Sequence, residues 1–188
     1  YLVTAQSRYR EVAYNDICYD SNANRVVLYY KETSDYGYAA VGTVTGGGTN
    51  TTSFGTPVAI KSAGIRYPAV EFDVSTNNVV FVYRLNGSPY DGMCRCGTVN
   101  TSSELVDSLG TEISFQSGQA DYLTRGCFYD PDTERVIACF SDSSSDGWAY
   151  CYVARWCRWL LSQSDGTDDG GWCHEFYYCG CGSCCGIG

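Results

Sequence analysis

The chain has 188 residues, with 12 Lys and Arg against 21 Asp and Glu, a formal charge of −9 and a pI near 4.4. That balance argues against a nucleic-acid partner, whose phosphate backbone is held mainly by Lys and Arg. Its 21 Gly, 17 Tyr, one Met and one His, with no long Leu, Ala, Glu and Lys stretch, exclude a helical domain and predict an all-β fold. No run of about 18 apolar residues is present to cross a membrane as a helix. Tyr1 to Arg10 carry neither a basic n-region nor an apolar h-region, so the chain reads as soluble, with no transmembrane segment.

After a lead-in over 1–12, a first unit is expected over 13–64. Tyr19-Asp20 is followed by Val26-Val27 and Tyr30, a spacing of an aromatic and an Asp, a β-branched pair, and a second aromatic. The same spacing recurs without gaps as Phe72-Asp73, Val79-Val80 and Tyr83 in a second unit over 65–119. It recurs again as Tyr129-Asp130, Val136-Ile137 and Phe140 in a third over 120–170. Each copy reads as a β-hairpin around a turn: in the second, Ala69 to Phe72 is extended, Asp73 to Asn77 is turn-forming and Asn78 to Arg84 resumes as strand. Asp20, Asp73 and Asp130 are therefore expected to hold turns by accepting backbone N–H bonds.

A third strand is predicted after each hairpin, over Tyr38 to Thr45, Met93 to Val99 and Trp148 to Val153. Gly37, Gly92 and Gly147, at two equal steps of 55 residues, mark the preceding turn. A fourth strand is predicted over Phe54 to Ile60 and Leu109 to Phe115, and Pro57 places it at a sheet edge. The nearly continuous apolar runs Val26 to Tyr30 and Val79 to Tyr83 fit strands covered on both faces. The fold class expected is all-β, with tandem four-stranded antiparallel blade-like repeats of about 55 residues, of the β-propeller type. The chain holds about 3.4 such units, and closed propellers use about four to eight blades, so the ring is expected to be incomplete in one chain. The aromatic-Asp pattern is absent beyond residue 155. Completion is therefore expected from copies of the chain or from adjoining segments of a longer fibre protein.

The segments Val41-Gly42-Thr43-Val44-Thr45, Ser53-Phe54-Gly55-Thr56-Pro57-Val58, Phe72-Asp73 and Asn78 to Arg84 resemble tandem repeats of tail-fibre-like proteins of aquatic phages and related environmental adhesin-like sequences, over about residues 13 to 154. The resemblance implies modules that display a binding surface, an extracellular or virion location, and no catalytic residue to carry over. The third copy departs from it, with Cys151-Tyr152-Val153 where Val-Gly-Thr-Val stands in the first.

Aromatic residues beside the loop before the third strand, Tyr36, Tyr38, Tyr90, Trp148 and Trp156, are the candidate ligand contacts. Rings flanked by Asp and Asn can stack on sugars and hydrogen-bond them, which makes a cell-surface glycan the expected ligand, although strand packing also enriches Tyr. Sequons at Asn50, Asn86 and Asn100 fall in predicted loops and offer surface glycosylation sites. No cofactor is expected. Seven of the twelve Cys are scattered, mostly over strand positions, and read as small buried apolar residues, with a disulfide framework as the alternative. The tail over 171–188 is rich in Cys and Gly. It offers one C-x-x-C, Cys181 and Cys184, as a weak metal candidate without the second pair that a structural zinc site uses.

Glu11, Asp16, Glu71 and Asp121 lie near the first strands, which line the channel of a propeller. Sugar hydrolysis would need two of them facing each other across a cleft. No Arg triad or nucleophile accompanies them, and a nucleophilic triad would have only His174 to draw on. The reading that follows is a non-enzymatic structural and attachment module of an extracellular or virion fibre. A self-assembling glycoprotein fibril and a glycan-processing propeller are the alternatives.

Overall fold

The computed structural model describes residues 14–45, 51–121, 127–142 and 149–154. These form an all-β structure of antiparallel sheets, none of them closed, and no helix occurs among them, so none is long and apolar enough to cross a membrane. The first sheet is a meander of β1 (Asn15–Asp20), β2 (Arg25–Lys31) and β3 (Gly37–Thr45). Its far edge is shared by two short strands, β4 (Thr51–Phe54) and β5 (Val58–Lys61).

The middle sheet repeats this order with β6 (Ile65–Asp73), β7 (Asn78–Leu85) and β8 (Gly92–Asn100), edged by β9 (Leu105–Asp107) and β10 (Ile113–Gln116). In the third sheet β13 (Arg135–Asp142) lies between β14 (Ala149–Ala154) and the pair β11 (Ala120–Asp121) and β12 (Cys127–Asp130). The fourth strand expected over Phe54 to Ile60 in the first sheet is thus split between β4 and β5. Pro57 has no N–H for the ladder and falls in the break between β4 and β5. In the middle sheet the strand expected over Leu109 to Phe115 is extended only from Ile113 onward, as β10, and β9 ahead of it was not expected.

The three hairpins share one register: Tyr19 faces Val26 and Asp20 faces Arg25, as Phe72 faces Val79 and Asp73 faces Asn78, and as Tyr129 faces Val136 and Asp130 faces Arg135. Their turns close alike. Asp20 Oδ1 accepts from Asn22 N and Ala23 N, Asp73 Oδ1 from Ser75 N and Thr76 N, and Asp130 Oδ1 from Asp132 N. The residue four after each Asp, namely Asn24, Asn77 and Glu134, takes positive φ of 54°, 58° and 54°.

Gly37 and Gly92 are not the left-handed residues of the loop before the third strand. That conformation falls two positions earlier, on Asp35 (φ 66°) and Tyr90 (φ 67°). The glycines are needed for room: a Cβ on Gly37 would lie 2.7 Å from Ile65 Cδ1, and one on Gly92 would lie 2.6 Å from the Phe115 ring. Their spacing therefore reflects how closely each third strand is packed, with the turn set elsewhere.

The sheets pack face to face, with β1 running along β6 and β6 along β12. Strand alternation sends Val79, Phe81 and Tyr83 of β7 toward the first sheet, where they meet Val27, Tyr29, Ala39 and Val41. Val80 and Val82 turn the other way and meet Phe115, Cys127, Val136, Ala138 and Phe140. Strand β7 is thus buried on both faces, which is why its sequence is an unbroken apolar run.

Candidate functional surfaces

Polar side chains stitch the sheets together at their edges. Between the first and middle sheets, Lys61 Nζ donates to Glu112 Oε1 at 2.6 Å, Thr43 Oγ1 donates to Glu104 Oε1 at 2.7 Å, and Arg95 Nη1 donates to the Ile60 carbonyl at 2.9 Å. Between β1 and β6, Asp16 Oδ2 accepts from Val70 N at 3.0 Å. One step onward, Glu71 accepts from Tyr129 N as well as from Phe72 N, so each acid of this pair ties its own strand to the next sheet.

These are two of the four acids expected along the first strands. Glu11 and the Asp121 side chain lie outside the described residues. Asp16 and Glu71 come close enough to interact electrostatically, but both are occupied as acceptors of backbone N–H groups. Burial pushes the Glu71 carboxyl above its usual range, the N–H groups of Phe72 and Tyr129 pull it back, and the neighbouring Asp16 raises it further.

The sign of this shift gives a test. A carboxyl raised in the folded state binds more protons folded than unfolded, so its stabilising contribution is complete below its ordinary value and is lost as pH rises through the raised value. Glu71→Gln removes that loss while keeping an amide oxygen to accept from the backbone. The melting temperature of the variant is expected to gain on that of the native chain as pH rises from about 4 to 7. A constant difference across that window would show that the Glu71 charge costs the fold nothing.

Among the described residues, the candidate ligand aromatics differ in setting. Tyr36 is exposed at the loop before β3, whereas Tyr38 is half-buried and stacked on Tyr30 with ring centroids 6.2 Å apart. Tyr90 packs one face against the Arg84 guanidinium, 5.1 Å from its ring, and Tyr67 covers the same guanidinium at 5.1 Å. Trp148 and Trp156 lie outside the described residues.

Beside Tyr36, a hydrogen-bonded clasp joins the first two sheets. Asp35 accepts from Lys31 and, at 3.0 Å, from Asn86 Nδ2, while Asn86 Oδ1 accepts from Arg66 Nε at 2.6 Å. The Lys31 ammonium and the Asn86 amide hold the Asp35 carboxyl below its usual range. Of the sequon residues, Asn86 thus has its amide in an inter-sheet bridge. Asn100 has its own in the β8–β9 turn, where Oδ1 accepts from Ser102 N and Ser103 N and Nδ2 donates to Asp107. Asn50 lies outside the described residues.

Cys18, Cys94, Cys96 and Cys127 are free thiols. Burial pushes Cys18, Cys94, Cys96 and Cys127 well above the usual thiol range, so they are packing residues with little thiolate character. Cys181, Cys184 and His174 lie outside the described residues, and among those that are described no group of three or more His, Cys, Asp and Glu could hold a metal ion.

The most conspicuous surfaces are apolar and lie at the two ends of the row of sheets. On the side of the first sheet turned away from the middle one, Ile17, Tyr19 and Val44 are 55%, 54% and 55% exposed, with Val26 and Leu28 half-buried beside them. On the outward side of the third sheet, Phe128 is 50% exposed opposite half-buried Ile137. The first set does not stand out locally in the sequence, because Ile17, Tyr19, Val26 and Leu28 read like Val70, Phe72, Val79 and Phe81 of the middle sheet, whereas Phe128 stands where that sheet has Glu71. Comparison of the chain with protein-family models, curated proteins and solved structures gives no match.

Proposed function

We propose that this chain is a non-enzymatic structural and attachment module of an extracellular or virion fibre. Its sheets act as blade-like units of about 55 residues, of the β-propeller type, left incomplete in one chain. The observation that carries this reading is the contrast between the middle sheet, covered on both faces, and the first sheet, which leaves Ile17 and Tyr19 open where the middle sheet buries Val70 and Phe72. An open apolar face is a site of association. The reading also draws on Asp16 and Glu71, whose carboxylates are spent on holding neighbouring strands rather than facing a cleft. Attachment falls to the loops between strands, where Tyr36 offers an exposed ring beside Asp35, and the ligand class that suits a ring with flanking carboxylate and amide groups is a cell-surface glycan.

Immunogold electron microscopy of native material, with antibodies raised against this chain, is expected to label fibres or tails. A glycan array probed with the purified chain is expected to show binding that Tyr36→Ala reduces without loss of fold. Label confined to single particles unattached to any fibre, filament or tail would overturn the structural reading. An array without signal would remove the glycan from it.

A further inference from the structure

We infer that the open face of the first sheet is the docking site for the third sheet of a second copy of this chain, so that two chains close head to tail into one ring of six sheets. The inference rests on the reading of the sheets as blades of an unclosed ring and names what closes it.

The shared hairpin register makes the positions of the three sheets comparable. Ile17 corresponds to Val70 and Cys127, and Tyr19 corresponds to Phe72 and Tyr129. In the middle sheet Val70 and Phe72 are buried against the first sheet; in the third, Cys127 is buried against the middle one and Tyr129 packs at the same core. In β2, Val26 and Leu28 stand where β7 has the fully buried Val79 and Phe81. The first sheet thus carries the receiving half of an inter-sheet core with nothing described against Ile17, Tyr19 and Val44, each more than half exposed. The outward positions of its three main strands, from Ile17 and Tyr19 through Val26 and Leu28 to Ala40 and Val44, bear no charge.

The third sheet carries the other half. Phe128 stands where the first sheet has Cys18 and the middle sheet has Glu71. Cys18 is buried against the middle sheet, and Glu71 reaches the backbone of Tyr129 in the third. Carrying that same step beyond the third sheet sets Phe128 against the residue equivalent to Tyr129, which in a following first sheet is Tyr19. The two faces differ in kind, giving on one side and receiving on the other, so the contact is heterologous. Such a contact closes only when the rotation brings the last unit back to the first. Rings of this kind hold about four to eight sheets. Two chains, counted by their three described sheets each, fall inside that range and three chains fall outside it.

Multi-angle light scattering of the purified 188-residue chain is expected to give twice the chain mass of 20.6 kDa at micromolar concentration. Tyr19→Glu and Phe128→Glu, both at half-exposed positions, are each expected to give a folded monomer by circular dichroism. Mixing the two in equal amounts is expected to restore one of the two contacts and return a 1:1 dimer. Val74→Glu, at a position 57% exposed in the β6–β7 turn and on neither end face, should stay dimeric. If Tyr19→Glu fails to fold, Val44→Glu replaces it on the same face. A monomeric native chain would overturn the inference, and so would charge variants that remain dimeric or a mixture that remains monomeric. Dimers that never label a fibre would leave this docking intact while removing the fibre reading; fibre-bound monomers would do the reverse.

Discussion

Phe81→Ala is expected to destabilise the fold by about 3–5 kcal/mol, the range for removing a large aromatic side chain from a packed core. Phe81 is fully buried and points from the centre of the middle sheet into the first, where its ring meets Tyr29 edge-on with centroids 5.1 Å apart. Truncation loses the burial of the ring, loses an aromatic pair worth about 0.5–1.5 kcal/mol, and leaves a cavity between two sheets whose backbones are held apart by their other side chains. The Lys61–Glu112 and Thr43–Glu104 contacts at the margins keep the sheets from collapsing into the gap. Phe81→Leu restores most of the volume and should cost less than half as much. Denaturant unfolding monitored by circular dichroism reads both, and a Phe81→Ala cost below about 1 kcal/mol would mean that the inter-sheet core contributes little to stability.

The parts of this architecture that were legible in the sequence are those written in short-range spacing. The Asp turns, the strands on either side of them and the third strands follow from contacts between residues a few positions apart, and the expected strand limits match β6, β7 and β8 to within four residues. The apolar run of β7 from Val79 to Tyr83 does mark a strand covered on both sides, whereas the like run of β2 from Val26 to Tyr30, expected to be covered in the same way, leaves Val26 and Leu28 half-buried on the open side of the first sheet.

What could not be read is what depends on the relation between sheets. Asp16 meets Val70, Asp35 meets Asn86 and Thr43 meets Glu104 across separations of 54, 51 and 61 residues, with no local pattern to announce them. Tyr90 looked like an exposed ligand ring because it stands in a loop beside Asp91, yet Arg84, itself buried, draws it into packing. The apolar face of the first sheet was hidden for a different reason. Repetition makes Leu28 and Phe81 look alike in sequence, and only packing distinguishes a strand with a neighbour on both sides from one at the end of the row.

Asp73→Ala is expected to cost about 2–4 kcal/mol, since a buried carboxylate that accepts several hydrogen bonds leaves each donor to find water when it is removed. Asp73 is fully buried at the mouth of the β6–β7 turn. Its Oδ1 accepts from Ser75 N at 3.0 Å, Ser75 Oγ at 2.6 Å and Thr76 N at 3.3 Å, and its Oδ2 from Thr76 Oγ1 at 2.7 Å. Asp73→Asn should cost about 1 kcal/mol, because an amide oxygen can still take the backbone bonds. The chain contains that solution already: Asn100 accepts from Ser102 N and Ser103 N in the β8–β9 turn, and Glu104 four residues on has φ 53°. The three Asp should therefore rank by burial and by bonds accepted. Asp20→Ala, which removes bonds to Asn22 N and Ala23 N, falls below Asp73→Ala, and Asp130→Ala at its more exposed turn falls lowest. Asp130 adds a pH signature. The Thr133 hydroxyl and the Asp132 N–H hold its carboxyl below the usual range, so its contribution is complete above about pH 4 and is lost as pH falls through the lowered value. The gap in melting temperature between the native chain and Asp130→Ala should then narrow as the medium is acidified below about pH 4, and a gap that widens there would reverse the assigned role of this carboxylate.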